Sequence, residues 1–250
     1  MSDLLDQVKS REWFYAFDLP DGTSTPTYHG GEFDLIHETR WRMLEHCLDQ
    51  AWPQGYADLV TVDLASHQGW FAMRLAQAGM GQVLGIEARA SHVADSRLMA
   101  RVCGLNQVGF EQGDIFDLDP GEVGTFDVVL MLGLLYHLEN PIGALRLARS
   151  VCTGVCVVET QVVPGISGMV DYGSYRYVRP LRGSFGVIDE TNETHGPEAS
   201  LTGICLVPSL GALLWVLENV GFTRAEVLQP PADAYEQLLH GKRVMVAAWV

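Results

Sequence analysis

The sequence predicts an α/β fold of the doubly wound kind, with a mostly parallel sheet covered by helices on both faces. Three observations carry this. From about residue 59, short β-branched apolar runs alternate with amphipathic segments. Acids stand at the ends of the first three runs, as Asp63, Glu87 and Asp114. The alternation then breaks off near Gln161 and resumes at Pro208.

Each element follows from its residues. Residues up to about 30 read as irregular, with DLPDGTSTPTYHGG supplying a loop of turn formers. From Glu32 to about Ala51, Leu35, Ile36, Trp41, Leu44 and Leu48 recur at the spacing of a core-facing helix. Strands are predicted at Leu59–Leu64, Val83–Glu87, Val108–Gln112, Phe126–Leu132 and Val155–Glu159, and helices at Trp70–Ala78, Ser91–Cys103 and Asn140–Ser150. A helix over Pro208–Val220 and strands at Thr223–Leu228 and Arg243–Val250 complete a Rossmann-like sheet of seven strands. Between the fifth and sixth strands, residues 161–207 are rich in Gly, Tyr and Arg and too long for an ordinary connection, which predicts a functional insertion or lid. The expected organisation is a core of residues 35–160 and 208–250, the lid of 161–207, and an N-terminal segment of 1–34 that helps cover a substrate.

Composition excludes several classes. Hydrophobic residues make up 48% and charged residues 19%, as in a globular protein with a sizeable core. Sixteen basic against thirty-one acidic side chains leave a formal charge of -15, a surface that repels polyphosphate, so a nucleic-acid partner is not expected. Arg176, Arg179 and Arg182 are too few for a nucleic-acid footprint. No apolar run approaches the ~20 residues of a membrane helix, and the start MSDLLDQVKSREWF lacks the layout of a secretory signal. Cys47, Cys103, Cys152, Cys156 and Cys205 show no zinc-site spacing, and four of them sit in apolar segments as buried thiols. A cytoplasmic, reduced protein is the expectation, with a homodimer left open.

The first turn, Ala65-Ser66-His67-Gln68-Gly69, has one glycine where a dinucleotide fingerprint needs three, which argues against a pyrophosphate ligand and a nicotinamide oxidoreductase. Three acids at consecutive strand ends suit a ligand with a cationic centre, a ribose diol and an adenine amino group.

With these residues in view the chain resembles the class I S-adenosylmethionine-dependent methyltransferases, over about residues 35–160 and 208–250. VTVDLASHQG, VLGIEA, QGDIFDL and TFDVVLMLGLLYHLENP look like that superfamily's first four motifs. LGLLYHLENP and LVPSLGALLWVLENVGF resemble the group containing the tRNA wobble-uridine carboxymethyltransferases and their small-molecule relatives. The resemblance implies S-adenosylmethionine as cofactor and S-adenosylhomocysteine as product. It implies that Asp63 anchors the first turn, with Ala65, His67 and Gly69 forming it, and that Glu87 accepts from both ribose hydroxyls. It also implies that Asp114 and the backbone N–H of Ile115 meet the adenine, with Leu132 beside the site. Glycine is usual where this chain has Ala65 and His67; a histidine there either narrows the cofactor's methionine end or hydrogen-bonds its carboxylate.

Methyl transfer needs alignment and removal of a proton. His137, just after the fourth strand, is the candidate base; alternatively it and Tyr136 cap the next helix and pack the cofactor. Tyr136 reads as a wall of the site. Tyr175, Arg176 and Tyr177 in the lid either stack on a planar acceptor and pair with an anionic group, or form the lid's own small core. His29 and His195 either close over the substrate or are exposed loop residues; with Asp189, Glu190 and Glu193 they lack any recognised metal-site spacing, and no metal is assigned. Trp13, Trp41 and Trp215 are assigned to packing. The preferred expectation is methyl transfer to oxygen or nitrogen of a small molecule. The alternatives are a tRNA-modifying methyltransferase or carboxymethyltransferase, and a non-catalytic binding or regulatory protein on the same scaffold.

Overall fold

The computed structural model describes residues 2–171, 178–190, 200 and 202–250. Seven strands form the central sheet: β1 (Val60–Leu64), β2 (Gln82–Glu87), β3 (Val108–Gln112), β4 (Phe126–Leu132), β5 (Cys152–Gln161), β10 (Arg224–Val227) and β11 (Arg243–Trp249). Their order across the sheet is β3-β2-β1-β4-β5-β11-β10. The first five run parallel, while β11 is antiparallel to β5, with Met245 opposite Glu159, and to β10. The chain reverses direction across the sheet between β1 and β4, and there the carboxyl ends of the strands open a crevice.

The β4 sequence FDVVLML explains the two-sided core. Val128 and Leu130 join one apolar cluster and Val129 and Met131 the other, because successive strand side chains face opposite ways. One face is covered by α2 (Asp34–Ala51), α3 (Trp70–Gln77) and α4 (Ala90–Cys103). The other is covered by α6 (Pro141–Val151) and α7 (Leu210–Asn219). Two single-turn helices, α5 (Pro120–Val123) and α8 (Glu236–Leu239), sit in connections. Asn140 caps α6 by accepting from the Gly143 N–H, and Pro141 follows at the first turn, where its missing N–H costs nothing.

Several expectations need correction. The N-terminal segment is not irregular throughout: α1 (Ser2–Lys9) packs on α4, and Trp13, Tyr15, Phe17 and Leu19 are buried in the core. Pro208 does not begin a helix; it ends a strand, and Ser209 caps α7 by accepting from the Ala212 N–H. Trp13 and Trp41 are core residues, but Trp215 is 44% exposed and Leu35 is 49% exposed, each on the solvent side of its helix. The 161–207 segment contains two β-hairpin pairings, β6 (Gly168–Asp171) with β7 (Val178–Leu181) and β8 (Phe185–Asp189) with β9 (Ile204–Pro208). The Leu206 N–H donates to the Leu138 carbonyl at 3.0 Å, which ties β9 to the loop after β4.

Cys47, Cys152, Cys156 and Cys205 are buried free thiols, as their apolar surroundings imply. No helix among the described residues is long and apolar enough to cross a membrane.

Candidate active site

The turn after β1 is built on left-handed backbone. Ala65 (φ 60°), His67 (φ 52°) and Gly69 (φ 78°) all have positive φ, which is why glycine is favoured at such positions and why the first two carry some strain. At Gly69 a side chain is also excluded by contact, since a Cβ would lie 2.5 Å from the Phe110 ring. The Ser66 N–H bonds the Ile86 carbonyl at 2.9 Å, and the His67 N–H donates to Oε2 of Glu87 at 2.9 Å. The other oxygen of Glu87 accepts from the Arg89 N–H at 2.9 Å, so backbone donors hold this buried carboxylate flat against the turn.

Asp63 lies behind the turn, buried. Burial, with the nearby Glu87 charge second, pushes its carboxyl up to about 8. Asp114 begins a short turn of helix over Ile115–Asp117, and its side chain accepts from the Phe116 N–H at 2.9 Å.

A cavity of about 830 Å³ opens at the carboxyl ends of β1 to β5, within the size range of small-molecule sites. Ala65, His67, Glu87, Asp114, Ile115 and Leu132 line it; Asp63 and Gly69 stand behind it. Tyr136 and His137 line the far wall. His29 does not line it: its Nε2 bonds the Phe14 carbonyl at 2.7 Å, and it braces the wall from behind. Tyr175, Arg176, Tyr177 and His195 lie outside the described residues. Among the described residues no group of three or more His, Cys, Asp or Glu could hold a metal ion. His67 leaves the cavity open. Its ring packs on His92 with centroids 4.0 Å apart and is flanked by Phe14 and Tyr15.

His137 ends a short helical turn after β4, and its Nδ1 lies 2.6 Å from Oε2 of Glu190. Burial alone would raise the Glu190 carboxyl. Hydrogen bonds from His137, Cys205 and the Ser200 N–H outweigh burial and hold it below the usual carboxylate range. In the neutral imidazole this contact places the proton on Nδ1, toward the carboxylate, and the lone pair on Nε2.

A second ionic group lies at the end of β5. Glu159, fully buried, pairs with Arg40 of α2 at 2.8 Å and Arg243 of β11 at 3.2 Å. Burial works against the Arg243 charge, but Glu159 and Tyr136 outweigh it and raise its pKa. Its guanidinium stacks 4.7 Å from the Tyr136 ring centroid. Both arginines line the cavity, so two cations and one buried anion leave that end positive.

Gln68 supplies a link that sequence reasoning did not single out. Its side chain accepts from the Phe14 N–H at 2.8 Å and donates to the Glu12 carbonyl at 3.1 Å, clasping the N-terminal segment over the turn. Phe14 and Tyr15 thereby become a wall of the cavity.

The seven-stranded sheet and its crevice are those of the Rossmann-like methyltransferase fold. A methyltransferase-domain family model matches residues 57–171. The tRNA U34 carboxymethyltransferase of Alcanivorax borkumensis is 30% identical over 198 residues, covering 76% of this chain and 53% of the relative. That of Cellvibrio japonicus is 25% identical over 206 residues, covering 80% and 55%. The chain thus spans about half the length of these relatives. Among solved structures, the N-terminal domain of EvdMO1 with S-adenosylhomocysteine bound superposes with a TM-score of 0.67 at 21% identity, covering 98% of this chain and 93% of that one. Magnesium protoporphyrin IX methyltransferase from Synechocystis PCC 6803 superposes at 0.58 with 14% identity, covering 99% and 93%. The family model and these relatives support a place in the class I S-adenosylmethionine-dependent methyltransferase superfamily, and the solved structures share its fold.

Proposed function

We propose that this protein transfers a methyl group from S-adenosylmethionine to an oxygen or nitrogen of a small-molecule acceptor, with His137 as general base. The observation that carries this reading is the His137–Glu190 pair at 2.6 Å, placed on the same cavity as Glu87 and Asp114. The residues present fit the cofactor. Glu87 would accept from the ribose diol, Asp114 and the Ile115 N–H would meet the adenine, and Ala65 and His67 would border the methionine end. S-adenosylmethionine supplies an activated methyl; the protein's part is to align the acceptor and take its proton.

His137 is suited to that part. Glu190 holds the ring by its Nδ1–H, so Nε2 receives the acceptor's proton as the new bond forms, and the resulting imidazolium is stabilised by the adjacent carboxylate. The N-terminal wall of Phe14 and Tyr15, together with Gln161, Ser200 and Thr202 of the 161–207 insertion, would cover the acceptor and exclude water.

The test begins with calorimetric titration of S-adenosylhomocysteine into the wild-type protein and Glu87→Ala. Micromolar binding that weakens at least tenfold in the variant is expected, as for loss of a charged hydrogen-bond acceptor. Absence of wild-type binding would favour the scaffold reading without catalysis. An acceptor screen by methyl release from labelled S-adenosylmethionine follows.

A second reading, tRNA modification, is favoured by the names of the curated relatives. The charge of -15 weighs against it. A tRNA complex that forms at low salt and weakens steeply as salt rises would replace the small-molecule reading.

A further inference from the structure

His37 is 3% exposed, and among the described residues neither of its ring nitrogens has a hydrogen-bond partner. It lines the cavity, with Tyr15 at 4.5 Å, Phe14 at 5.1 Å and Trp70 at 6.1 Å between ring centroids. Arg40 stands three residues further along α2, on the same helix face, and also lines the cavity. Its side chain is 7% exposed; one terminal nitrogen is tied to Glu159, and its Nε has no partner. Leaving such groups buried and unsatisfied costs about 1–3 kcal/mol each, so α2 presents a polar edge that calls for a hydrogen-bonding partner within the cavity, and a ligand would displace any water held there.

The chemistry of that edge selects an anion. Burial, then the charge of Arg40, drives the His37 imidazole well below its ordinary pKa, so it is neutral and offers one N–H and one lone pair. Arg40 offers N–H groups in a planar fork suited to two oxygens. The excess positive charge at this end of the cavity points the same way.

We infer that His37 and Arg40 form a carboxylate-binding subsite on the α2 wall of the cavity. The carboxylate belongs either to the amino-acid end of the cofactor or to an acidic acceptor. The inference rests on the methyltransferase reading for the first source only.

The rival account is that His37 merely fills an aromatic cluster, and His37→Phe separates the two. Phenylalanine keeps the packing and removes two unsatisfied polar atoms, so its melting temperature should equal or exceed that of the wild type in either case. Only a ligand role makes it lose affinity.

Calorimetry is run with S-adenosylhomocysteine, with 5′-methylthioadenosine, which lacks the amino-acid end, and with benzoate added to the S-adenosylhomocysteine complex. A roughly tenfold loss of S-adenosylhomocysteine affinity in His37→Phe, with methylthioadenosine unchanged and partial rescue by His37→Asn, assigns the carboxylate to the cofactor. Unchanged S-adenosylhomocysteine binding with benzoate binding lost assigns it to the acceptor. If the folded variant binds all three as the wild type does, or the wild type binds benzoate no better than His37→Phe while S-adenosylhomocysteine is unaffected, the subsite is disproved. Failure of the wild type to bind S-adenosylhomocysteine would instead sink the methyltransferase reading, and benzoate titrated into the ligand-free wild type and His37→Phe would then decide the subsite: tighter binding to the wild type supports it and equal binding disproves it.

Discussion

Nδ1 of His137 lies 2.6 Å from Oε2 of Glu190, across 53 residues of sequence. The two meet because β9, paired to the strand that ends beside Glu190, is bonded through Leu206 to the loop that carries His137. Glu190 is 2% exposed and also receives the Ser200 N–H and the Cys205 thiol, so its position does not depend on the histidine. A carboxylate whose Oε2 also meets the Ser200 N–H and the Cys205 thiol is well placed to orient an imidazole.

The first prediction concerns that pair. His137→Asn should lower the rate of methyl transfer by about 10²–10⁴-fold, the usual contribution of a general base, with S-adenosylhomocysteine affinity little changed. Glu190→Gln should lower kcat by a smaller factor, because the amide still orients the ring but no longer stabilises its charged form. Steady-state kinetics with the acceptor found by screening would check both. Equal rates in wild type and His137→Asn would leave Tyr136 and His137 as wall residues.

Asp63 gives a pH prediction. Its carboxyl is raised to about 8 in the folded protein, first by burial and then by the Glu87 charge, against 3.8 when unperturbed. The folded state therefore binds more protons than the unfolded state between these values, and this group makes stability fall as pH rises across that window. Below the unfolded value its contribution is nil, and above the folded value the penalty is complete. Thermal unfolding of Asp63→Asn from pH 4.5 to 8.5 should show a flatter decline than the wild type. Parallel curves would mean that Asp63 is ionised throughout.

The turn itself can be tested at Gly69. Its φ of 78° and the 2.5 Å approach of a Cβ to the Phe110 ring make Gly69→Ala both strained and overpacked. A loss of about 2–4 kcal/mol is expected from the two effects together, read as a lower denaturant midpoint with an unchanged slope. A wild-type midpoint would show that Phe110 moves aside at no cost.

Much of this was legible in the chain because the information was local. Asp63 and Glu87 close apolar runs, Asp114 follows the next, and strands ending on one edge of a parallel sheet bring such acids together. Glu159 closes the β5 run in the same manner, but nothing nearby in sequence announces its partners, which arrive from α2 and β11. Glu190 was visible only as one acid of a polar loop, and its pairing with His137 depends on the β8–β9 hairpin. His37 reads in sequence as one more position on an amphipathic helix. Only the packing of Tyr15 and Trp70 around it shows that it is buried without a partner. The short α1 escaped because Leu4, Leu5 and Val8 make too brief a pattern to stand apart from a loop.

The Glu159 cluster offers the sharpest stability test. The carboxylate is fully buried between two guanidiniums, Arg40 at 2.8 Å and Arg243 at 3.2 Å. Neutralising it leaves two buried cations facing each other at the end of β5. Removing one partner of a buried pair typically costs about 3–5 kcal/mol, so Glu159→Gln should be strongly destabilised or unfolded at 37 °C. The ligand cavity supplies a further readout. If Glu159 serves to hold the arginines in place, carboxylate compounds should raise the melting temperature of Glu159→Gln more than that of the wild type, because they restore a negative charge beside the same cations. A variant as stable as the wild type, with no response to added benzoate, would show that solvent reaches the arginines and that the cluster is no buried ion network.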